Sequence, residues 1–596
     1  MNKKYKTIIG LVGLVALLVV SSCANLGTSS FLHFSNSPQP TQSSTRLPSG
    51  YVCETHDFAY VNTLPATALE NGKDVFRCRT CNLIKTEDTF SLDECAFEDQ
   101  TFVYDGAAHT LTVQGLIPLD VTIEYENNVL KEIGQRQAVA NYYGPNHQFL
   151  KRDTAFITVV ENKGFSNIFV DTHGVEIAED DKENYTEMVL STSNCPDKYQ
   201  INNAPGGIRV RGNGSLTYEK KGLRIKFDTK RSMLGLNGDL KAKSWVLLAE
   251  YSDQSMLRTI SALYLGNALL NYSENYASSY QHINLYINDE YRGVYLLLEQ
   301  QQVNKGRINV AEPKDGYKGT DVGYLLELDG YATKEEYFFD VGNPFDSYNG
   351  VVYGRKNYSI KSNIFDRASQ AQYIKKYLTN LYRAFYLLVT TKTANILDDN
   401  FELIPSPHAT AYEAIDTMID LDSLFKVYLL NELMKNLDVG FSSFFMFVDF
   451  SRNSKYPRLT FGAPWDFDWS SGNVTTEAIG ASTGLFCSVA FDSFRFNPWF
   501  GLLANTDFFS AMIKKYYALF NHSKIIEKLI TYLDYETRAF ANEFAHNYQR
   551  WSNLGTLVPK FTPQIATTFE SHLDAANHLI NWLTERKAFL DSVYLV

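Results

Sequence analysis

The sequence predicts a multidomain protein in which two small N-terminal modules precede a large α/β (α+β) domain of two lobes. Its 596 residues leave room for three or four domains of about 150 residues each. Four of the seven cysteines fall between Cys53 and Cys95, which sets that stretch apart from the rest. Strand-like alternation follows in 96–161, and from about Gly164 hairpin patterns give way to helical periodicity.

The N-terminus has the pattern of an export signal. Lysines at positions 3, 4 and 6 precede an apolar run over 8–20, which is shorter than the roughly 20 residues of a membrane span. Val20-Ser-Ser-Cys23 resembles a bacterial lipobox, in which cleavage leaves the cysteine to carry a lipid. We therefore expect a signal peptide at 1–23, a lipid on Cys23 and a flexible linker at 24–50, with the protein anchored on the extracytoplasmic side of the cell membrane. An ordinary signal peptide with a chance cysteine is the alternative.

The composition indicates packed domains and argues against nucleic-acid binding. Apolar residues make up 45% of the chain and aromatic residues 14%, which suits large cores. The net charge is −12, from 67 acidic and 55 basic residues, whereas bulk nucleic-acid binding requires a basic surface. The expected partners are the membrane, through the lipid anchor, and an unidentified protein substrate or surface protein.

The stretch 51–95 has the ligand spacing of a small zinc site. Cys53 and His56 form one pair and Cys78 and Cys81 form another, each with two residues between the ligands. Two such pairs can hold one tetrahedral zinc ion, and metal binding can fold a segment too short for its own core. We therefore expect a zinc-ribbon-like module with a structural zinc. Two disulfides among Cys53, Cys78, Cys81 and Cys95 are the alternative, because the cell exterior is oxidising.

Residues 96–161 alternate in the manner of strands. Four runs begin at Thr101, Leu111, Val121 and Ala155, and turn signals such as Asp105-Gly106 separate them. The pattern resembles small Ig-like or β-grasp-like surface modules, and it predicts an all-β spacer.

From residue 165 to the end of the chain, the sequence predicts a β-rich front lobe followed by a helix-rich back lobe. Hairpins are predicted at 207–227 and 282–300, with a helix at 255–271 between them. Beyond Gln370 the 3.6-residue period predicts helices at 371–391, 421–435, 507–521, 524–548 and 569–593.

The strongest chemical signal is Pro464-Trp-Asp-Phe-Asp-Trp469. In an extended stretch, Asp466 and Asp468 point to one side and Phe467 points to the other. Two carboxylates beside dehydrating aromatic rings repel each other unless a cation neutralises them, and Mg²⁺ suits such a site. Taken alone, the motif is more simply read as an exposed turn with capping aspartates.

The residues upstream of this motif favour the metal site. Asn436-Leu-Asp438 ends an amphipathic helix, and the aromatic run Phe444-Phe-Met-Phe-Val-Asp449 follows it. A kinase catalytic loop and its metal-binding segment have the same order of features. A helix is followed by an aspartate at its end, then by a short strand and a second aspartate.

Together these motifs resemble the spore-coat protein CotH family of atypical protein kinases. That family has Asn-x-Asp after a helix, an aromatic-rich strand, and then Pro-Trp-Asp-(aromatic)-Asp. The likeness covers 165–589 and includes further motifs of the front lobe and the tail: Arg211-Gly212, Lys220-Lys-Gly-Leu-Arg-Ile-Lys-Phe227, Lys243-Ser-Trp-Val-Leu-Leu-Ala249, Tyr251-Ser-Asp253 with Arg258, Tyr291-Arg-Gly-Val-Tyr-Leu-Leu-Leu-Glu299-Gln300, Trp499-Phe500 and Arg550-Trp551.

The resemblance implies a bilobal protein-kinase-like fold and the ATP- and Mg²⁺- (or Mn²⁺-) dependent phosphorylation of Ser or Thr in a surface protein. Asp438 would orient or deprotonate the acceptor hydroxyl, and Asp466 would hold the metal. Asp468 would support the metal or cap the following turn. Ser443 stands where the family often has a metal-binding asparagine, and its hydroxyl is a weaker Mg²⁺ ligand.

Cations of the front lobe are candidates for binding the phosphates of ATP. The two-residue period of a strand places Arg224 and Lys226 on one face, where they can hold phosphate groups, although a solvated strand face is the alternative. Arg211 and Arg258 are further candidates for phosphate contacts. Glu299 marks the position of the kinase hinge, where backbone groups meet adenine.

A function of a different class is the alternative to catalysis. The chain would then be a catalytically silent surface-binding or adhesion lipoprotein that uses the kinase-like fold as a platform. The lipid anchor, the N-terminal modules and Ser443 favour this interpretation, as does the scarcity of ATP outside cells.

Overall fold

A computed structural model describes residues 58–596, apart from positions 65, 69, 79, 82, 89–91, 271–274, 453, 490–494 and 559–561. The predicted signal peptide with Cys23, the linker at 24–50, and the predicted zinc ligands Cys53 and His56 lie outside the described residues. Among the described residues, no helix combines the length and the apolar character needed to cross a bilayer.

The cysteine-rich stretch folds as a three-stranded antiparallel meander, with Cys78 buried at the end of its second strand. Its strands are β1 (Phe58–Leu64), β2 (Lys73–Cys78) and β3 (Ile84–Asp88). Because two of its four ligands lie outside the described residues, the zinc site stays a prediction. Cys95 lies in the core of the next module, where its free thiol donates to the carbonyl oxygen of Leu116 at 3.1 Å.

The next module is an all-β unit, as the alternating sequence predicts. Its main sheet has the order β4-β9-β8-β6, with β4 parallel to β9, and a two-stranded ribbon joins β5 to β7. Its core contains Leu111, Val113, Tyr142 and Ile157. The strands are β4 (Gln100–Val103), β5 (His109–Thr110), β6 (Thr122–Glu126), β7 (Val129–Leu130), β8 (Gly134–Gly144) and β9 (Gln148–Val160).

Seven strands of the front lobe close into a barrel in the order β10-β11-β12-β13-β14-β16-β15, and the parallel pairing of β10 with β15 completes the ring. Alternate side chains fill the interior, among them Ile208, Ile225 and Trp245. Both predicted hairpins are confirmed. The strands are β10 (Ser166–Asp171), β11 (Thr186–Ser193), β12 (Ala204–Arg211), β13 (Gly222–Arg231), β14 (Ala242–Leu248), β15 (Tyr280–Ile287) and β16 (Glu290–Glu299).

The back lobe is built on a five-stranded antiparallel sheet in the order β18-β21-β17-β24-β25. Its core is continuous with the outer faces of β14 and β16, through Val246, Leu296 and Leu298. The remaining strands are β17 (Gly323–Leu328), β18 (Phe338–Val341), β19 (Ser347–Tyr348), β20 (Val351–Val352), β21 (Lys356–Ile360), β22 (Asn395–Leu397), β23 (Leu403–Pro405), β24 (Phe444–Asp449) and β25 (Thr460–Phe461).

Helices supply most of the back lobe, which confirms the mixed α/β character expected of the large domain. They are α1 (Leu236–Asp239), α2 (Arg258–Leu270), α3 (Gln372–Thr391), α4 (Ala411–Asp416), α5 (Leu421–Met434), α6 (Glu477–Gly480), α7 (Pro498–Ala504), α8 (Phe509–His522), α9 (Ile525–Ala539), α10 (Ala541–Trp551) and α11 (His572–Tyr594). The first two of these belong to the front part of the chain, and the four-residue α1 contains left-handed residues.

One predicted helix is divided in the structure. The periodicity over 524–548 predicts a single helix, but α9 ends at Ala539 and α10 begins at Ala541. Phe540 has non-helical torsion angles (φ −116°, ψ 23°), and its ring stacks on Phe165 at a centroid distance of 4.1 Å. A tertiary contact at the start of the barrel therefore overrides the local helical pattern at this position.

The all-β module is packed against the helices of the back lobe. The backbone N–H of Val103 donates to the hydroxyl of Tyr535 at 2.8 Å, and that of Ile117 donates to Ser523 Oγ at 2.8 Å. Lys528 Nζ donates to the carbonyl oxygen of Val113 at 2.6 Å. The module predicted to be a spacer thus contacts the C-terminal end of α8 and the length of α9.

A buried ion pair fixes the segment that follows the Asp466-Phe-Asp468 motif. Arg586 Nη2 of α11 lies 2.7 Å from Glu432 Oε1 of α5, and both side chains are 1% exposed or less. The two oxygens of Glu432 accept the backbone N–H groups of Phe486 and Cys487, each at 2.8 Å. One carboxylate therefore holds two helices and a loop together.

We predict that Arg586→Ala lowers the free energy of unfolding by about 3–5 kcal/mol, because it leaves Glu432 buried without its cation. The matched control is Arg355→Ala, which removes an exposed ion pair with Asp340 and should cost about 1 kcal/mol or less. Urea unfolding followed by tryptophan fluorescence measures both. Equal losses in the two variants would contradict the structural role of the buried pair.

Candidate active site

Asp438 lies in the loop that follows α5. Lys435 ends the helix in a left-handed conformation (φ 49°), and its N–H closes the last turn by donating to the carbonyl oxygen of Asn431. The side chain of Asn436 then accepts the backbone N–H of Asp438 at 3.1 Å. The Asn-x-Asp pattern thus forms a small turn in which the asparagine fixes the backbone of the aspartate.

The carboxylate of Asp438 faces Arg495. Asp438 Oδ1 and Arg495 Nη1 are 2.5 Å apart, and 20% of the Asp438 side chain remains exposed. The N–H of Leu437 donates to the carbonyl oxygen of Trp469 at 3.0 Å, which ties this loop to the second aspartate motif.

Ser443 links two further carboxylates. Its N–H donates to Glu327 Oε1 at 3.0 Å, and its Oγ donates to Asp466 Oδ2 at 3.2 Å. Glu327 belongs to β17, and Ser443 directly precedes the neighbouring strand β24, so the sheet brings them together. Both Ser443 (φ 60°) and Asp466 (φ 64°) are left-handed, a conformation that costs about 1–3 kcal/mol for residues other than glycine.

Asp468 is held by the front lobe. Ser252 Oγ donates to Asp468 Oδ2 at 2.7 Å. The side chain of Asn473 bridges the two residues, since its Nδ2 donates to the carbonyl oxygens of both Asp468 (2.8 Å) and Ser252 (3.1 Å). Phe467 is buried in the core of the back lobe. The expected extended stretch is interrupted at Asp466, whose left-handed φ of 64° breaks the two-residue alternation.

The side chains of Glu327, Asp438, Asp466 and Asp468 form what we name the carboxylate centre. Burial raises the pKa of Asp438 to about 6 and the pKa of Glu327 to about 7. Burial, followed by the negative charge of Asp466, raises the pKa of Asp468. A cation bound among these groups would lower their pKa values again, because it favours the ionised form of each.

A row of cations lies on the outer face of β12 and β13. The apolar residues of these strands point into the barrel, so Arg209, Arg211, Arg224 and Lys226 share the opposite face; we name them the cationic row. Arg209 and Arg224 are direct partners in the antiparallel register, where like charges destabilise a sheet. Among the described residues, the buried Nε atoms of these two arginines have no hydrogen-bond partner.

Arg211 connects the cationic row to the carboxylate centre. Its guanidinium lies 5.3 Å from the centroid of the Trp465 ring. Trp465 is the residue directly before Asp466 in the chain. Burial lowers the pKa of Arg211, and the charges of Asp466 and Glu327 oppose that shift. Cations and carboxylates therefore approach each other where the barrel meets the back lobe.

The described side chains of the carboxylate centre do not by themselves form a metal cage. Within the described part of the chain, no group of three or more His, Cys, Asp or Glu side chains is arranged to hold a metal ion. Mg²⁺ at nucleotide sites is usually held by one or two carboxylates together with the phosphates of the substrate. Asp466, with the hydroxyl of Ser443 beside it, offers oxygen ligands of this type.

A protein-family model described as CotH kinase protein matches residues 208–590, well over half of the chain. The chain belongs to the CotH kinase family. None of the curated proteins compared with it matches. The matched range contains the whole carboxylate centre and the cationic row, whereas the two N-terminal modules lie outside it. Family membership therefore indicates a kinase-like function for the part of the chain that carries this site.

Two other residues predicted to contact ATP have extensive contacts within this CotH-family domain. Arg258 Nε donates to the carbonyl oxygen of Ser470 at 3.1 Å, and its guanidinium pairs with Asp253. Glu299 is fully buried and pairs with Arg307 at 3.0 Å. Arg258 thus joins α2 to the turn after Asp468. Its phosphate contact and the backbone contact of adenine at Glu299 stay predictions.

Three residues of the site were not identified from the sequence. Arg209 could have been found, because it precedes Arg211 by the two-residue period that also groups Arg224 with Lys226. Glu327 is a carboxylate within a buried apolar strand, which is itself a signal of a special role. Arg495 has no local signal, since its partner Asp438 lies 57 residues earlier in the chain.

We predict that inorganic tripolyphosphate raises the melting temperature of the protein and that Arg224→Gln removes most of this rise. A ligand at about 100 times its Kd stabilises by about 2.7 kcal/mol, and each charge-assisted hydrogen bond contributes about 1.5–3 kcal/mol. Without ligand, Arg224→Gln should leave the melting temperature unchanged or higher, because it relieves repulsion from Arg209.

Arg152→Gln, an exposed arginine on β9, is the control and should respond to tripolyphosphate as the wild type does. A full ligand-induced shift in Arg224→Gln would show that the cationic row does not bind phosphates.

Proposed function

We propose that this CotH-family protein transfers the terminal phosphoryl group of ATP to a Ser or Thr of a surface protein. The observation that supports this most strongly is that the side chain of Asn436, in the turn that carries Asp438, donates to the carbonyl oxygen of Asp466 at 3.5 Å, while the guanidinium of Arg211 reaches the neighbouring Trp465 from the front lobe. Phosphoryl transfer requires positioning and charge neutralisation more than covalent participation of the protein.

The residues present fit a Mg²⁺- or Mn²⁺-nucleotide. Asp466 and Ser443 would hold the ion through hard oxygen ligands, with Asp468 as an additional carboxylate. When bound, the ion neutralises negative charge on the phosphates. The cationic row would hold the phosphates through charge-assisted hydrogen bonds, and this would also pair the unsatisfied Nε atoms of Arg209 and Arg224.

Asp438 would receive the proton of the acceptor. In this step the acceptor oxygen bonds to the γ-phosphorus, the bond from that phosphorus to the bridging oxygen of ADP breaks, and the hydroxyl proton moves to Asp438. Because burial places the pKa of Asp438 at about 6, the group is mostly ionised at neutral pH and can still accept a proton. Protonation of Asp438 would remove the base, and a bound cation lowers the pKa of this carboxyl, so transfer should fall with acidification at a pH below 6.

We predict that Asp438→Asn lowers phosphoryl transfer about 10²- to 10⁴-fold while Mg²⁺-ATP binding persists, because a general base typically contributes that much. Asp466→Asn should instead weaken Mg²⁺-dependent nucleotide binding, since it removes a charged ligand of the ion. The measurement is transfer from γ-labelled ATP to the protein itself and to casein, with nucleotide affinity by calorimetry.

Melting temperatures of both variants control for folding, and Asp340→Asn, at a partly exposed aspartate on β18, is the matched substitution. Equal activity in all variants would refute the assignment of the two aspartates. Nucleotide binding without any transfer in the wild type would support the catalytically silent surface-binding lipoprotein instead.

The proposal places the protein on the extracytoplasmic face of the cell membrane through a lipid on Cys23. Cys23→Ser should abolish the incorporation of a labelled fatty acid, and undiminished label on the variant would refute the anchor. A structural zinc ion at Cys53, His56, Cys78 and Cys81 belongs to the same proposal, and elemental analysis of the purified protein checks for about one zinc per chain.

A further inference from the structure

Arg495 belongs to a segment that is packed directly on the Asp438 loop. The side chain of Asn497 donates to the carbonyl oxygen of Val439 at 2.8 Å and also caps the start of α7. Gly440 lies so close that a Cβ there would be 1.9 Å from the carbonyl oxygen of Arg495. The close approach of the two backbones fixes the position of the Arg495 backbone relative to the Asp438 loop. The fold therefore places the arginine side chain beside Asp438.

The guanidinium of Arg495 also lies over two aromatic rings. It lies 5.4 Å from the centroid of the Trp469 ring and 5.8 Å from that of Phe441. Such cation–π contacts favour arginine over lysine and help to hold the guanidinium in place. Because Trp469 directly follows Asp468, the same ring belongs to the loop that carries the predicted metal ligands.

The ion pair involves one oxygen of Asp438 and leaves the other available. Oδ1 accepts from Arg495 Nη1, while Oδ2 accepts no hydrogen bond from any of the described residues. Since 20% of the Asp438 side chain and 23% of the Arg495 side chain are exposed, the pair lies at a surface that an acceptor can reach.

We propose that Arg495 is the positioning residue of the catalytic base, which it orients through Oδ1 so that Oδ2 faces the acceptor hydroxyl. This inference rests on the proposed function and adds to it a group that the Asn-x-Asp and Asp-x-Asp motifs do not contain. The arginine itself takes no part in the transfer of the phosphoryl group or the proton. It holds the carboxylate in one rotamer and compensates its negative charge.

The test compares the wild type with Arg495→Gln and Arg495→Lys in the full-length protein. Misplacing a reacting group by about 1 Å can cost on the order of 10²-fold in rate, so we expect Arg495→Gln to lower kcat by about 10- to 10²-fold. The KM for ATP and the affinity for Mg²⁺-ATP should stay near the wild-type values. Arg495→Lys keeps the charge and should recover part of kcat.

Arg383→Gln is the matched control, because Arg383 also pairs with an aspartate and lies over a tyrosine ring, but on α3. A second readout is non-additivity: Asp438→Asn combined with Arg495→Gln should be no slower than Asp438→Asn alone, since the arginine acts through the aspartate. Casein is the acceptor in all assays, and melting temperatures report folding.

The outcomes separate this inference from the proposed function. If the wild type phosphorylates casein and Arg495→Gln has the same kcat, only the role of Arg495 is refuted. The same holds if Arg495→Gln lowers nucleotide affinity and kcat equally, because that indicates general damage to the site. If the wild type transfers no phosphate, the proposed function fails and the positioning role fails with it.

Discussion

Electrostatic repulsion among four partly buried carboxylates is the constraint on which the rest of this site depends. Glu327, Asp438, Asp466 and Asp468 lie where the two lobes meet, and burial raises the pKa of three of them. The protein supplies cations around this centre: Lys361 lies 3.1 Å from Glu327, and Arg495 lies 2.5 Å from Asp438. Asp466, at the middle of the group, has the hydroxyl of Ser443 as its hydrogen-bond donor among the described residues. Partly buried carboxylates that repel one another, with left-handed backbone at Ser443 and Asp466, are unfavourable for stability, and such features persist chiefly where function needs them.

The site depends on contacts between the lobes as much as on the aspartates themselves. Ser252 and Arg258 of the front part hold Asp468 and the turn after it, and Arg211 extends from the barrel to Trp465. On the other side, Glu432 and Arg586 fix the loop at 481–487, which precedes Arg495 in the chain. A change in the relative position of the lobes would therefore alter both the metal ligands and the phosphate contacts.

The sequence predicts the order of the helices and strands and identifies the candidate aspartates. It does not predict which side chains contact those aspartates. Hairpins, helices and the Asp466-Phe-Asp468 motif follow from local periodicity, which a single sequence contains. The break at Phe540 could not be predicted, because it results from stacking on Phe165, far away in the chain. Arg495 was missed for the same reason, as only the fold brings it to Asp438. Arg258 carries a charge that suits phosphates and Glu299 marks the predicted hinge, but the fold pairs both side chains with residues of the protein interior.

The claim that the carboxylate centre holds a metal-nucleotide is tested most directly by a crystal structure with Mn²⁺ and a non-hydrolysable ATP analogue, in which anomalous scattering locates the ion. We expect an ion bound by Asp466 at about 2.1 Å, the distance typical of octahedral sites for small divalent cations. We also expect that phosphate oxygens complete the coordination and contact Arg211 and the Arg209–Arg224 pair. An ion or a nucleotide bound elsewhere, with Asp466 still directed only at Ser443, would contradict the claim.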